Sequence, residues 1–107
     1  MTADKRARLE AAGWTVGDAH QFLSLTRADH ALLDTLEALG EMLRARRLRA
    51  GLSQGRVALL VQSSQSRVAK MEAGDPSVSL DLVIRTLLVL ATPPTAIAKT
   101  IVRGLSG

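Results

Sequence analysis

The stretch Leu52–Gly74, LSQGRVALLVQSSQSRVAKMEAG, holds two short helical patterns joined by a tight Gln/Ser-rich turn, and its spacing decides how the rest of the chain is read. In the first pattern Val57, Ala58 and Val61 share one face. In the second, Val68 and Met71 point inward while Ser66 and Lys70 point outward. Ser53 can cap the first helix, about Gln54 to Val61. Ser63 or Ser64 can cap the second, about Gln65 to Ala73, which Gly74 closes. One side of this pair packs and the other is left open.

Counting from Gln54 as the first position, the fifth is Ala58, where two helices crossing steeply need a small side chain. Positions fifteen and eighteen are Val68 and Met71, which plug the angle between them. A bulky residue at Ala58 would pry the helices apart.

Upstream, Thr26 followed by Asp29 resembles a capping box and introduces the longest helical pattern, roughly Arg27 to Ala50, which Gly51 ends. Leu32, Leu36, Leu39 and Leu43 form its apolar stripe, and Gly40 inside it invites a bend. Asp29, Asp34, Glu37 and Glu41 occupy an exposed acidic face of the first half, and Arg44, Arg46, Arg47 and Arg49 crowd the second. Further upstream the pattern predicts a helix over Ala3 to Ala12 and a short one from Asp18 to about Leu23, anchored by Trp14, Phe22 and Leu25.

Downstream, Ser79 caps an apolar helix over Leu80 to Ala91, and Thr92 with Pro93 and Pro94 starts a last one that runs to Arg103 before Gly104. Leu87, Leu88, Leu90, Ile97 and Ile101 give these two helices more apolar surface than a small domain readily hides, which points to dimerisation. Strand signals are nearly absent. The reading is all-α, a five-helix domain over residues 27–92 with an N-terminal helical extension over 1–26 and a C-terminal helix over 93–107 as a dimerisation element.

The 107 residues support one domain with a modest core. Lys and Arg number 14 against 10 acidic residues, a net charge of +4 that favours polyanionic partners. With no cysteine, disulfides and thiolate metal sites are excluded. The opening MTADKRARLEAAG lacks the apolar core of a secretory signal, and LVIRTLLVLA falls well short of the ~20 residues of a membrane span. A soluble, cytoplasmic protein is expected. His20 and His30 have no third ligand at metal spacing, and no serine sits in a Gly-x-Ser-x-Gly elbow, so neither a metal, a cofactor nor catalysis is expected.

With LRxxR at Leu43–Arg47, GLSQ at Gly51–Gln54 and SQSRVAKMEAG at Ser64–Gly74 in order, the chain resembles the phage-repressor and Cro type of helix-turn-helix domain, the xenobiotic-response-element family. The resemblance covers about Leu39 to Ala91 and implies a lambda-repressor-like fold that binds double-stranded DNA. Two positions depart from it. Gln62 stands where the turn usually has a positive-φ glycine, at a cost of ~1 kcal/mol, and Leu59 and Leu60 stand where many relatives are polar.

The resemblance places Gln65, Ser66 and Lys70 on base edges of the major groove and Gln54, Ser64, Arg67, Arg44 and Arg46 on phosphates. The residue chemistry agrees, because a glutamine amide can bond adenine N6 and N7 together and helix N-termini attract anions. Arg47 and Glu72 are implied to be a structural salt bridge. The expected function is a repressor acting as a homodimer on a palindromic operator. The small size and the preceding extension further resemble HigA-type antitoxins, which implies a RelE- or HigB-like toxin as a partner. The alternative is a stand-alone or prophage repressor.

Overall fold

A computed structural model describes residues 19–106, with side chains from Thr26 onward. The expected helix over Ala3 to Ala12, the anchor Trp14, and the side chains of His20, Phe22 and Leu25 lie outside what is described. Five helices make up the described part: α1 Ala19–Arg49, α2 Gln54–Leu60, α3 Gln65–Glu72, α4 Leu80–Val89 and α5 Pro94–Ser106. Among the described residues there is no strand, and no helix is long and apolar enough to cross a membrane.

The expected break near Thr26 does not occur, because α1 runs unbroken through that position. Nothing in Ser24-Leu25-Thr26-Arg27 is a glycine or proline, so no residue there stops a helix. Thr26 Oγ1 is buried without a hydrogen-bond partner and caps nothing. Leu36, Leu39 and Leu43 of the expected stripe are buried, and only its first position differs. Leu33, at 2% exposed, takes the place expected for Leu32, at 39%. Turning that way carries Asp29 inward with Leu33 and Leu36, so it does not belong to an exposed acidic face, and burial pushes its carboxyl pKa up. Asp34 and Glu37 are half-buried, and Glu41 is exposed.

α1 runs without a break through Gly40. A Cβ there would lie 2.5 Å from the Met71 carbonyl oxygen and 2.7 Å from that of Glu72, so the glycine lets the end of α3 rest directly on α1. Gly104 works alike on the other side of the helix. It sits inside α5, which continues past the expected stop at Arg103, and its missing Cβ leaves room for Thr35 of α1. The core is built from Leu39 and Leu43 of α1, Val57 and Ala58 of α2, Val68 and Met71 of α3, Val78, Val83 and Leu87 of α4 and its approach, and Ile97 of α5. Each fully buried side chain of this kind contributes about 1.5–3 kcal/mol. Leu87 and Ile97 are therefore core rather than surplus surface. Leu88 remains exposed, and Leu90 and Ile101 are half-buried.

Four helices end in the same way. Gly51, Gln62, Gly74 and Ala91 all have positive φ, at 71°, 55°, 71° and 59°. The residue after each returns a hydrogen bond five residues back: Leu52 N–H to Arg47 O, Ser63 N–H to Ala58 O, Asp75 N–H to Lys70 O and Thr92 N–H to Leu87 O. These are Schellman endings, in which a left-handed residue satisfies carbonyls the helix leaves open. The turn between α2 and α3 thus keeps its left-handed geometry with glutamine in the glycine position. At the helix starts, Ser53 Oγ accepts from Arg56 N–H at 3.0 Å. Ser79 occupies the N-cap of α4 but makes no side-chain capping bond, contrary to expectation.

Replacing either strained residue, Gln62→Gly or Ala91→Gly, is expected to raise the urea midpoint by the equivalent of about 1 kcal/mol, since only glycine adopts this conformation without steric cost. The two effects are expected to add, and an unchanged or lower midpoint would show that the turns carry no such strain.

Candidate nucleic-acid interface

The open side of the α2–α3 pair follows from the local sequence. Ser64 is the N-cap of α3, and its Oγ accepts from Arg67 N–H at 3.1 Å. This cap starts the helix at Gln65 and fixes its phase. Val68 and Met71 then turn fully inward, at 0% and 1% exposed. Ser64, Gln65, Ser66, Arg67 and Lys70 are exposed. Ala58, 4% exposed, lies in the α2–α3 core as the spacing predicts. A short helix presented this way has its first turn facing outward, with hydroxyls, an amide and the Arg67 cation, and Lys70 follows in its last turn.

Beneath that surface lies an ion pair. Arg47 Nε donates to Glu72 Oε2 at 2.6 Å and Arg47 Nη2 to Glu72 Oε1 at 3.0 Å, a two-point grip between α1 and α3. A third donor of the guanidinium, Nη1, bonds Leu52 O at 3.0 Å, so Arg47 also holds the entry to α2. The side chains are only 11% and 4% exposed. Hydrogen bonding to Glu72 raises the Arg47 pKa above its ordinary value, the carboxylate charge adds to this, and burial opposes it.

The pair extends outward through two amides. Gln54 Nε2 donates to Glu72 Oε1 at 3.2 Å, and Gln65 Nε2 donates to Gln54 Oε1 at 2.7 Å. Arg47, Glu72, Gln54 and Gln65 therefore form one chain of hydrogen bonds from the core to the surface of α3. The spacing of the sequence shows that Gln54 and Gln65 each open a helix, but not that their amides meet. Only the packing of α2 against α3 brings them together.

The remaining basic residues are spread around this edge. Arg44 is exposed and Arg46 half-buried, both in the last turns of α1. Arg56, which sequence reasoning passed over, is exposed in α2 two residues after Gln54. The signal for it was present: the inward positions Val57, Ala58 and Val61 leave Arg56 on the outer side. Leu59 and Leu60 are exposed at 71% and 49%, apolar groups outside the core.

A family model described as a helix-turn-helix domain matches residues 38–99. No curated protein and no solved structure matches the chain.

Proposed function

We propose, from the premise that the chain belongs to the helix-turn-helix domain family and is a DNA-binding regulator, that it is a sequence-specific repressor working as a homodimer on a palindromic operator. The observation that carries this reading is the outward first turn of α3, where Ser64, Gln65, Ser66 and Arg67 are exposed together over a buried Val68. In the major groove, Gln65 and Ser66 read base edges and Lys70 reaches a guanine or a phosphate. Ser64, Arg67, Arg44 and Arg46 meet the backbone, with Gln54 at the same edge, and set the register. Two copies would place their reading helices about one turn of DNA, ~34 Å, apart. Exposed Leu80, Leu88, Val89, Val102 and Leu105 on α4 and α5 supply apolar surface for pairing. Repression would follow from occupying a promoter, including its own.

The HigA-type reading, with a RelE- or HigB-like toxin held on an acidic face, draws less support. Asp29 is buried, Asp34 and Glu37 are half-buried, and Glu41 alone of the four is exposed. The stand-alone repressor is favoured on this ground. Co-expression with the product of any adjacent small basic reading frame separates the two, since a stable one-to-one complex would restore the antitoxin reading.

The main test is fluorescence anisotropy on DNA from upstream of the gene, repeated across a salt series. Affinity is expected to fall steeply with salt, and Arg67→Ala to flatten the log–log slope by about one. Equal binding of upstream and scrambled duplexes at all salt concentrations would overturn the proposal.

A further inference from the structure

We infer that the groove between α1 and α5 is a binding site for a small amphiphilic carboxylate, a molecule with an apolar chain that ends in a carboxyl group. The inference concerns α1 and α5 alone and does not depend on the reading of DNA by α3.

The groove follows from side-chain size along the seam of the two helices. α5 lies close on α1 where Gly104 leaves room for Thr35. About two turns back along α5 the side chains are small, Ala96 and Ala98, and a groove of about 690 Å³ opens there, within the range of about 300–1,000 Å³ usual for small-ligand sites. Its apolar walls are Met42 of α1, Ala96, Ala98 and Val102, the last 63% exposed. Met42 also packs against the core, so this wall is held in place. Lys99 and Arg103, both exposed and one turn apart on α5, line the same groove, and no acidic residue does.

The two cations are what name the ligand. Like charges four residues apart on a helix repel, and among the described residues neither has an acidic partner. Glu41 lines the adjoining hollow together with Arg103, yet no ion pair joins them. Arg103 is instead turned along the groove: its Nη2 donates to Thr100 Oγ1 at 3.3 Å, and Thr100 Oγ1 donates to Ala96 O at 3.0 Å. One guanidinium donor is thereby used and the others are left over, in a planar fork that suits a carboxylate. A bound carboxylate relieves the repulsion between Lys99 and Arg103 while its chain covers Val102, Ala98 and Met42. A second copy of the chain is the rival occupant, because Val102 also belongs to the apolar surface offered for pairing. Symmetric pairing sets a patch against itself, and α5 carries Lys99 and Arg103 with no acidic residue, so pairing centred on this groove would bring cation to cation. An uncharged apolar ligand would leave both cations without a counter-charge.

The test is an amide NMR titration of the full chain with octanoate, and with octan-1-ol and octylammonium as probes of the same chain length without the negative charge. Octanoate is expected to give saturable shifts at Met42, Ala96 and Lys99–Arg103 and to bind about fivefold or more tighter than octan-1-ol, as a charge-assisted hydrogen bond would supply, with octylammonium weakest. Lys99→Gln combined with Arg103→Gln, both at exposed positions and checked for folding by thermal melts, is expected to bring octanoate down to the affinity of octan-1-ol and to leave octan-1-ol unchanged. Equal binding of octanoate and octan-1-ol by the native protein would show apolar contact only and overturn the inference, as would octanoate shifts centred on Leu59 and Leu60 or the lack of any saturable shift. If the groove amides move when the free protein is diluted but not when octanoate is added, a second copy fills the groove and the inference fails. None of these outcomes bears on whether α3 reads DNA.

Discussion

Glu72→Ala is expected to lower the stability of the folded chain by about 3–5 kcal/mol in urea denaturation. The magnitude follows from what would be left behind. Arg47 is 11% exposed in its side chain, and two of its donors point at the Glu72 oxygens at 2.6 and 3.0 Å. Removing the carboxylate strands a buried guanidinium and also frees the Gln54 amide that Glu72 accepts from at 3.2 Å. A domain whose total stability is about 5–15 kcal/mol would lose much of its reserve. Arg47→Ala is expected to cost at least as much, because it also abandons Leu52 O at the entry to α2. Replacing both together, Arg47→Met with Glu72→Leu, is expected to cost far less than the two single changes summed, since no charge then remains unpaired. A Glu72→Ala loss under about 1 kcal/mol would show that the pair is effectively solvated.

Gly40→Ala is expected to destabilise the protein by about 1–3 kcal/mol, where the same change in an open helix would gain ~1 kcal/mol. The sign reverses because the new methyl would meet backbone, not a pliable side chain. It would lie 2.5 Å from Met71 O and 2.7 Å from Glu72 O, and α3 can clear it only by moving away from α1. That movement pulls on the Arg47–Glu72 contact, so DNA affinity is expected to fall together with the melting temperature. Gly55→Ala serves as the contrast. Its Cβ would find only Ser53 Oγ, at 3.9 Å, and no loss is expected. Equal behaviour of the two variants would contradict the close approach of α3 to α1.

Both predictions depend on features that the sequence displays unevenly. The helix pair is legible because its signals are local: serine caps, inward Val57, Ala58, Val68 and Met71 at fixed spacing, and a glycine on either side of the pair, Gly51 and Gly74. The Arg47–Glu72 pair was legible only through resemblance to a family, since nothing in its 25-residue separation announces contact. The errors share a different cause. Thr26 and Asp29 look like a capping box but lie mid-helix, and Gly104 looks like a stop but lies within α5. In each case packing between α1 and α5 overrides a local preference worth about 1 kcal/mol. In sequence Gly40 looks like a weakness of its own helix, whereas its role concerns a neighbour that no one-dimensional pattern contains.

The orientation of the Gln65 amide was beyond sequence for a related reason. Hydrogen-bond polarity is set by a chain that starts at a guanidinium in α1 and crosses two other helices. Residue types alone show three polar side chains and a cation, each with several partners to choose from. Only their placement where α2 packs against α3 leaves a single consistent arrangement.

The most direct test of the account is an amide NMR titration of the full chain with a short duplex, for which the operator sequence need not be identified. The largest shift changes are predicted over Ser53–Arg56 and Ser64–Lys70, with the outer side of α5 from Lys99 to Ser106 little affected. Changes centred on α5, with the first turn of α3 unmoved, would contradict the claim that this edge is where the protein meets DNA.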